Sequence, residues 1–317
     1  MTDFDADLFA TSYEWTTELF LLRFNDRPIR ERLARRAQLF GTWLTRPLPH
    51  YWDTPPPWLY LARKATASNR SIPDFLCLGA IKSGTSDLAT NLIAHPSIGT
   101  PLCKELPHHD PEKWRLYYPT DDEMDLIRES TGTARNGYFN PHLMDHDFPE
   151  AVAAARPDMQ IVIMLRDPVD RMYSHFKFDY MFGGAKALTN PVFDDYASYV
   201  DYALGKYPYP SNFYTPQAPL HSGIYAPRLK RWSEFFPPEQ ILLLQAEDYF
   251  TDPATVLARI HDFLDLPPVD YQRLPVVNES PVAAPAQDEQ SRQKLIDFYR
   301  PHNAELEELT GLSFGWN

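Results

Sequence analysis

Three short apolar runs stand out along a chain of 317 residues: Phe75–Leu78, Ile161–Leu165 and Ile241–Leu244. Each is continuous rather than alternating, and the second is rich in β-branched residues. That pattern suits strands buried on both faces, as in a parallel sheet covered by helices. Helical signals fall between them. Asp87–Ile93 has apolar residues at 88, 89, 92 and 93, one face of a 3.6-residue period, and Pro168 is placed to open a helix just after the second run. The order of elements predicts an α/β fold, a mainly parallel sheet flanked by helices.

The first seventy residues have a different character. Tyr13–Phe24 and Ile29–Trp43 read as amphipathic helices, the second with basic residues on one face. Arg46–Trp58 is too rich in proline for a helix or a central strand. The chain therefore divides into an N-terminal helical and proline-rich extension, residues 1–71, and one domain, residues 72–317. The extension is either a cap strapped over the core or a source of aromatics for a ligand site or a homodimer contact. Tyr202–Leu220, rich in Pro, Tyr and Ser, is either a lid or a plain surface loop.

Chemistry concentrates where the first run ends. Gly79-Ala80-Ile81-Lys82-Ser83-Gly84-Thr85-Ser86 forms a glycine-bearing turn between a strand and a helix start. The N–H groups of a helix's first turn and its macrodipole attract anions, and Lys82 adds a mobile charge. A nucleotide triphosphatase loop would place its lysine after the second glycine, whereas here Lys82 precedes Gly84. This order resembles the 5′-phosphosulfate loop of sulfotransferases that use 3′-phosphoadenosine 5′-phosphosulfate (PAPS). The second run leads into Arg166-Asp167-Pro168-Val169-Asp170-Arg171-Met172-Tyr173-Ser174. It is similar to that family's 3′-phosphate signature, in which a guanidinium fork and a hydroxyl hold a phosphate. The resemblance continues through Ser222–Trp232, Phe236–Leu244, Glu247–Tyr249 with Asp252-Pro253, Ile260–Leu264 and Leu295–Asn303 followed by Leu306. It covers roughly 72–316, closest to the carbohydrate, heparan-type branch and its bacterial relatives.

The resemblance implies a nucleotide triphosphatase-like core, PAPS as donor, adenosine 3′,5′-bisphosphate as product, and no metal. It implies that Ser83, Gly84, Thr85 and Ser86 hold the phosphosulfate, that Lys82 stabilises the bridging oxygen, and that Arg166 and Ser174 hold the 3′-phosphate. Tyr225 would lie near the nucleotide or merely pack a helix start. A base must take the proton of the acceptor. Lys104-Glu105 matches the family's Lys-Glu pair, which makes Glu105 the base, but Pro107, His108 and His109 depart from the family's pattern. His108 or His109 remains an alternative base, since imidazole titrates near neutral pH. A structural role for the segment is a third reading. His175 is expected to satisfy a local hydrogen bond, and Arg171 to brace Asp167 or Asp170. Asn278–Gln290 lacks Lys, Arg and Gly, where relatives often carry a basic glycine loop, so donor affinity is expected to be modest.

Charge narrows the acceptor. The net charge of −13 is opposite to that of a protein gripping heparan or nucleic acid through a broad basic face. A small-molecule, glycolipid or sugar acceptor is expected, with no nucleic-acid partner. The acidic N-terminus is not a signal peptide, and no stretch of 18 apolar residues predicts a transmembrane segment. Cys77 and Cys103 read as buried free thiols, which fits a cytoplasmic protein. Two other readings stay open: a nucleotide kinase, and a binding protein that keeps the fold without the activity.

Overall fold

A computed structural model describes residues 57–106, 110–145, 149–181, 195–207, 217–271 and 284–316, together with Arg30, Leu33, Ala34 and Ala37. Those four positions are helical, within the second helix expected from sequence. Tyr13–Phe24, most of the proline-rich segment and the centre of Tyr202–Leu220 lie outside the described residues.

Among the described residues five parallel strands form one sheet in the order β2-β3-β1-β4-β5. They are β1 Phe75–Gly79, β2 Ile98–Gly99, β3 Arg135–Phe139, β4 Gln160–Leu165 and β5 Ile241–Gln245. Alternate residues feed opposite faces, as the two-residue period of a strand requires. Leu76, Leu78, Ile161, Ile163 and Leu165 pack with Trp114, Tyr118, Trp232 and Leu306. Phe75, Cys77, Val162 and Met164 pack with Leu88, Leu92, Val256 and Ile260 on the other side. Both faces are apolar, which is why the runs do not alternate.

The helices that matter below are α1 Pro57–Lys64, α2 Thr85–Ile93, α3 Asp121–Thr131, α4 Pro149–Ala155, α5 Pro168–Met181, α6 Tyr196–Lys206, α7 Gln217–Ser222, α8 Ala226–Ser233, α9 Ala246–Thr251, α10 Pro253–Phe263 and α11 Glu289–Thr310. Helix α1 corrects the sequence reading: Pro57 and Trp58 begin a helix rather than end an extended segment. Proline is tolerated in a helix's first turn, where its missing N–H is not needed. A third apolar cluster joins α5, α6, α7 and α11 through Met172, Phe176, Tyr199, Leu220, Leu295 and Tyr299. Among the described residues no helix is long and apolar enough to cross a membrane.

Sequence patterning missed β2 and β3. β3 reads Arg-Asn-Gly-Tyr-Phe, poor in β-formers, and Gly137 at its centre pairs with Phe75 of β1. A Cβ at Gly137 would lie 2.2 Å from the Phe75 ring, so glycine is what lets a phenyl ring cross the neighbouring strand. Gly137→Ala should therefore cost about 1–3 kcal/mol through overpacking. Urea denaturation would measure it, and adding Phe75→Leu should recover part of the loss.

Candidate active site

The strand ends that face the same edge of the sheet each deliver functional side chains. Lys82 follows β1, His142 follows β3, Arg166 follows β4 and Glu247 follows β5. The chain moves to the β3 side after β1 and returns past it to β4, so the turns after β1 and β4 flank the topological switch point where ligands bind in open sheets.

The turn after β1 is shaped by two left-handed residues, Lys82 at φ 73° and Gly84 at φ 80°. For a residue with a Cβ this region costs ~1–2 kcal/mol, so Lys82 needs outside support. The support comes from the carbonyls. The Arg166 guanidinium donates to the Lys82 carbonyl at 2.9 Å. The Arg171 guanidinium, fully buried, donates to the Ile81 carbonyl at 3.5 Å and also to the carbonyl of Pro219. Within the turn, the Ser83 N–H donates to Ala80 O at 3.2 Å, and the α2 ladder starts with Leu88 N–H to Gly84 O at 3.0 Å. With the Lys82 and Ile81 carbonyls engaged by guanidiniums, the turn leads into the N-terminus of α2, whose first amides attract an anion. The buried Ser83 Oγ has no hydrogen-bond partner among the described residues. Such an atom calls for a ligand or water. Phe250 covers the turn: a Cβ at Gly84 would meet its ring at 2.6 Å, and its ring centroid lies 5.4 Å from Arg166 Cζ.

Arg166 is half-buried, and burial lowers its pKa while Asp170 and Glu247 oppose that. The Tyr225 hydroxyl donates to the Arg166 carbonyl at 2.7 Å, and its buried ring packs edge-on against Trp316. Tyr225 thus seats Arg166 from beneath. Ser174 lies two turns along α5, half-buried. Arg171, expected from sequence to brace Asp167 or Asp170, gives its guanidinium to the Ile81 and Pro219 carbonyls and to the Tyr299 side chain. Asp170 pairs instead with Arg292 of α11 at 2.5 Å. Arg292 lies just beyond the segment that sequence reading found empty of basic residues.

Around Lys82 the charges are crowded. Its ammonium sits 4.4 Å from the Phe178 ring centroid. Burial pulls its pKa down to about 8; Asp179 opposes this, while Arg166, Lys177 and Lys104 add to it. Asp179 is itself buried and pushed up to about 7 by that burial, although the Tyr199 hydroxyl donates to it at 2.9 Å and Lys82 attracts it. The His175 Nε2 stands 3.7 Å from Asp179 Oδ1, too far for the local hydrogen bond expected of it. Burial, then the cations Arg171 and Lys82, hold its imidazole well below the usual range.

Glu105 faces this group. Lys104, buried, donates to Glu105 Oε1 at 2.6 Å, and His142 Nε2 lies 3.8 Å from Oε2. Desolvation by the surrounding protein would raise the carboxyl even though its side chain is 40% exposed, but Lys104, His142 and Lys82 together hold it below the ordinary carboxylate range. His108 and His109 lie outside the described residues. Asp110 caps the helical turn Pro111–Trp114, accepting from the Glu112 N–H at 3.1 Å. Among the described residues no group of three His, Cys, Asp or Glu side chains could hold a metal ion. His142 and Asp179 were not singled out from sequence. The first follows a strand that patterning did not find, and the second is one acidic residue in an amphipathic helix.

Comparison with known proteins agrees with the geometry. A family model described as Sulfotransferase domain matches residues 72–296. Human carbohydrate sulfotransferase 15 is 26% identical over 78% of this chain and 55% of its own length. The human bifunctional heparan sulfate N-deacetylase/N-sulfotransferase 3 is 27% identical over 75% of this chain and 30% of its own. The chain thus spans about half or less of these curated relatives. The crystal structure of a sulfotransferase from Alicyclobacillus acidocaldarius shares the fold, with TM-score 0.50 and 22% identity over 76% of this chain and 97% of that one.

The buried Arg171 predicts a stability effect separable from chemistry. Arg171→Met fills the volume but strands two carbonyls that had charged donors, each such bond being worth about 1.5–3 kcal/mol. Thermal unfolding should show a lowered Tm, and the loss should be larger than for Arg166→Met, whose site is half-exposed.

Proposed function

The chain belongs to the sulfotransferase domain family, and on that premise we propose that it moves the sulfuryl group of PAPS to a hydroxyl or amine of a small-molecule, glycolipid or sugar acceptor. The observation that carries this reading is the turn after β1. It has a Lys82 carbonyl engaged by Arg166, a left-handed Lys82 and a buried Ser83 hydroxyl with no partner among the described residues. The residues present fit the donor. Ser83, Gly84, Thr85 and Ser86 would hold its phosphosulfate, and Arg166 and Ser174 its 3′-phosphate, with Tyr225 seating Arg166 and Arg292 contributing charge nearby. When bound, PAPS supplies an activated sulfuryl group with a bisphosphate leaving group.

The protein's own contribution is positioning and electrostatics, as in phosphoryl transfer. Lys82, charged, stabilises the negative charge that gathers on the leaving oxygen. Glu105, kept ionised by Lys104, accepts the proton of the acceptor. The net charge of −13 argues against a long acidic polysaccharide, although the relatives' names are those of carbohydrate and heparan sulfate enzymes.

Calorimetry with adenosine 3′,5′-bisphosphate and ADP tests the donor site first. The bisphosphate should bind clearly more tightly than ADP, and equal binding would sink the two-phosphate reading. Arg166→Ala should weaken bisphosphate binding roughly 10- to 100-fold, the scale of one charged hydrogen bond. Transfer of radiolabelled sulfate from PAPS should reach octyl β-glucoside or simple alcohols rather than heparan sulfate; the reverse preference would overturn the acceptor assignment.

Lys82→Ala should lower turnover on the order of 10²–10³-fold while sparing bisphosphate binding more than Arg166→Ala does. The pH dependence has a definite sign. Lys82 is pulled down to about 8, so its charged form prevails below that pH and is lost above it. Turnover should fall as pH rises through about 8, and Lys82→Arg, which cannot lose its proton there, should abolish that decline.

A further inference from the structure

Glu105 is an unusual base for an unaided role, because the two oxygens of its carboxylate are differently engaged. Lys104 Nζ holds Oε1 at 2.6 Å, which leaves Oε2 as the oxygen open to a proton, and Oε2 is the one that faces His142 Nε2 at 3.8 Å. A side-chain adjustment of about 1 Å closes that gap to hydrogen-bond distance. The neighbouring Lys104 ion pair also makes a protonated Glu105 short-lived, so a proton arriving there needs somewhere to go.

The placing of His142 is built in. Its backbone N–H donates to Asn140 Oδ1 at 3.0 Å. The Asn140 amide donates to the Tyr138 oxygen at 2.9 Å, and the Tyr138 hydroxyl donates to the Leu106 carbonyl at 3.3 Å. Leu106 follows Glu105 directly. This buried relay ties the His142 turn to the Glu105 segment, so the two side chains share one rigid frame at the end of β3. Asn140 is anchored in turn by its N–H to the Cys77 carbonyl of β1 at 3.1 Å. The charged and titratable groups facing the pair are Lys104 beside Glu105, Lys82 on the turn after β1 and His175 on α5.

We propose that His142 is the onward proton acceptor for this site, taking through Glu105 the proton that the sulfated hydroxyl gives up. The inference rests on the transferase reading above. The acceptor oxygen forms its bond to sulfur as the bridging S–O bond of PAPS breaks, and that bonding pair leaves on the bisphosphate. The acceptor proton passes to Glu105 Oε2, then to His142 Nε2, and from the imidazolium to solvent through the partly exposed ring. No oxidation or reduction is involved.

The test uses the full chain with PAPS, reading bisphosphate release with octyl β-glucoside as acceptor, or with water where the glucoside is not turned over. His142→Ala and His142→Gln should each lower kcat on the order of 10²-fold and leave calorimetric affinity for adenosine 3′,5′-bisphosphate unchanged. Added imidazole should restore rate to His142→Ala, an effect that a structural role would not produce. Gln keeps the size and hydrogen-bonding capacity of the side chain, so a wild-type rate for His142→Gln would overturn the proposal. So would loss of turnover in His108→Gln combined with no imidazole rescue of His142→Ala, which would place the proton on the other histidine. If the wild-type chain neither binds the bisphosphate nor turns over PAPS, the transferase reading fails first and this inference falls with it. Normal bisphosphate binding and turnover with His142 variants at full rate would sink the inference alone.

Discussion

Two guanidiniums from one strand–helix unit hold the carbonyls of another, and the rest of the site depends on that hold. Arg166 takes the Lys82 carbonyl and Arg171 the Ile81 carbonyl, so the turn after β1 cannot relax out of its left-handed geometry. The same contacts fix Arg166 at a set offset from the turn after β1, the two groups proposed to hold the donor's two phosphate ends. A nucleotide bearing two phosphates can then be measured by the separation between two loops of a rigid sheet. Tyr225 and Arg292 extend the frame, the first under the Arg166 backbone and the second against Asp170.

The bulk charge of the chain conceals its local charge. A net charge of −13 describes an acidic surface. Yet Arg166, Lys177 and Lys104 all act on Lys82 at a single turn, with Asp179 beside Lys82 and Glu105 beside Lys104. Concentrating cations within a sheet edge rather than across a face fits a small dianionic donor group better than an extended polyanion. It also explains why Lys82 is pulled toward neutrality while Glu105 is held ionised: the surrounding cations disfavour the ammonium's charge and favour the carboxylate's.

Much of the frame was legible in the sequence, for a physical reason. β1, β4 and β5 are apolar on both faces, so their residues announce burial without periodicity, and the turns after β1 and β4 carry residues whose order is chemically specific. β3 was not legible, because its centre is Gly137, a residue chosen to admit the Phe75 ring rather than to favour a strand. With β3 went His142, whose meaning depends on a strand end. Sequence proximity offers Asp167 and Asp170 as partners for Arg171, and could not show that its guanidinium also reaches across to Ile81 and Pro219. The pairing of Glu105 with Lys104 was legible through the resemblance to the family's Lys-Glu pair. Its position relative to Lys82 depended on chain segments that patterning could not bring together.

The two thiols sit at two depths of this frame. Cys77 lies in the central strand, 1% exposed, its thiol pushed up to about 12 by burial against the pull of Lys104. Cys103, also 1% exposed, lies outside the sheet, with its Sγ 4.0 Å from the Glu105 carbonyl. A thiol reagent reaches the first only when the sheet itself parts, and the second when the Glu105 segment lifts away. Alkylation rates at the two positions are therefore two clocks within one unmodified chain, one keeping the time of global unfolding and the other that of local opening at the site.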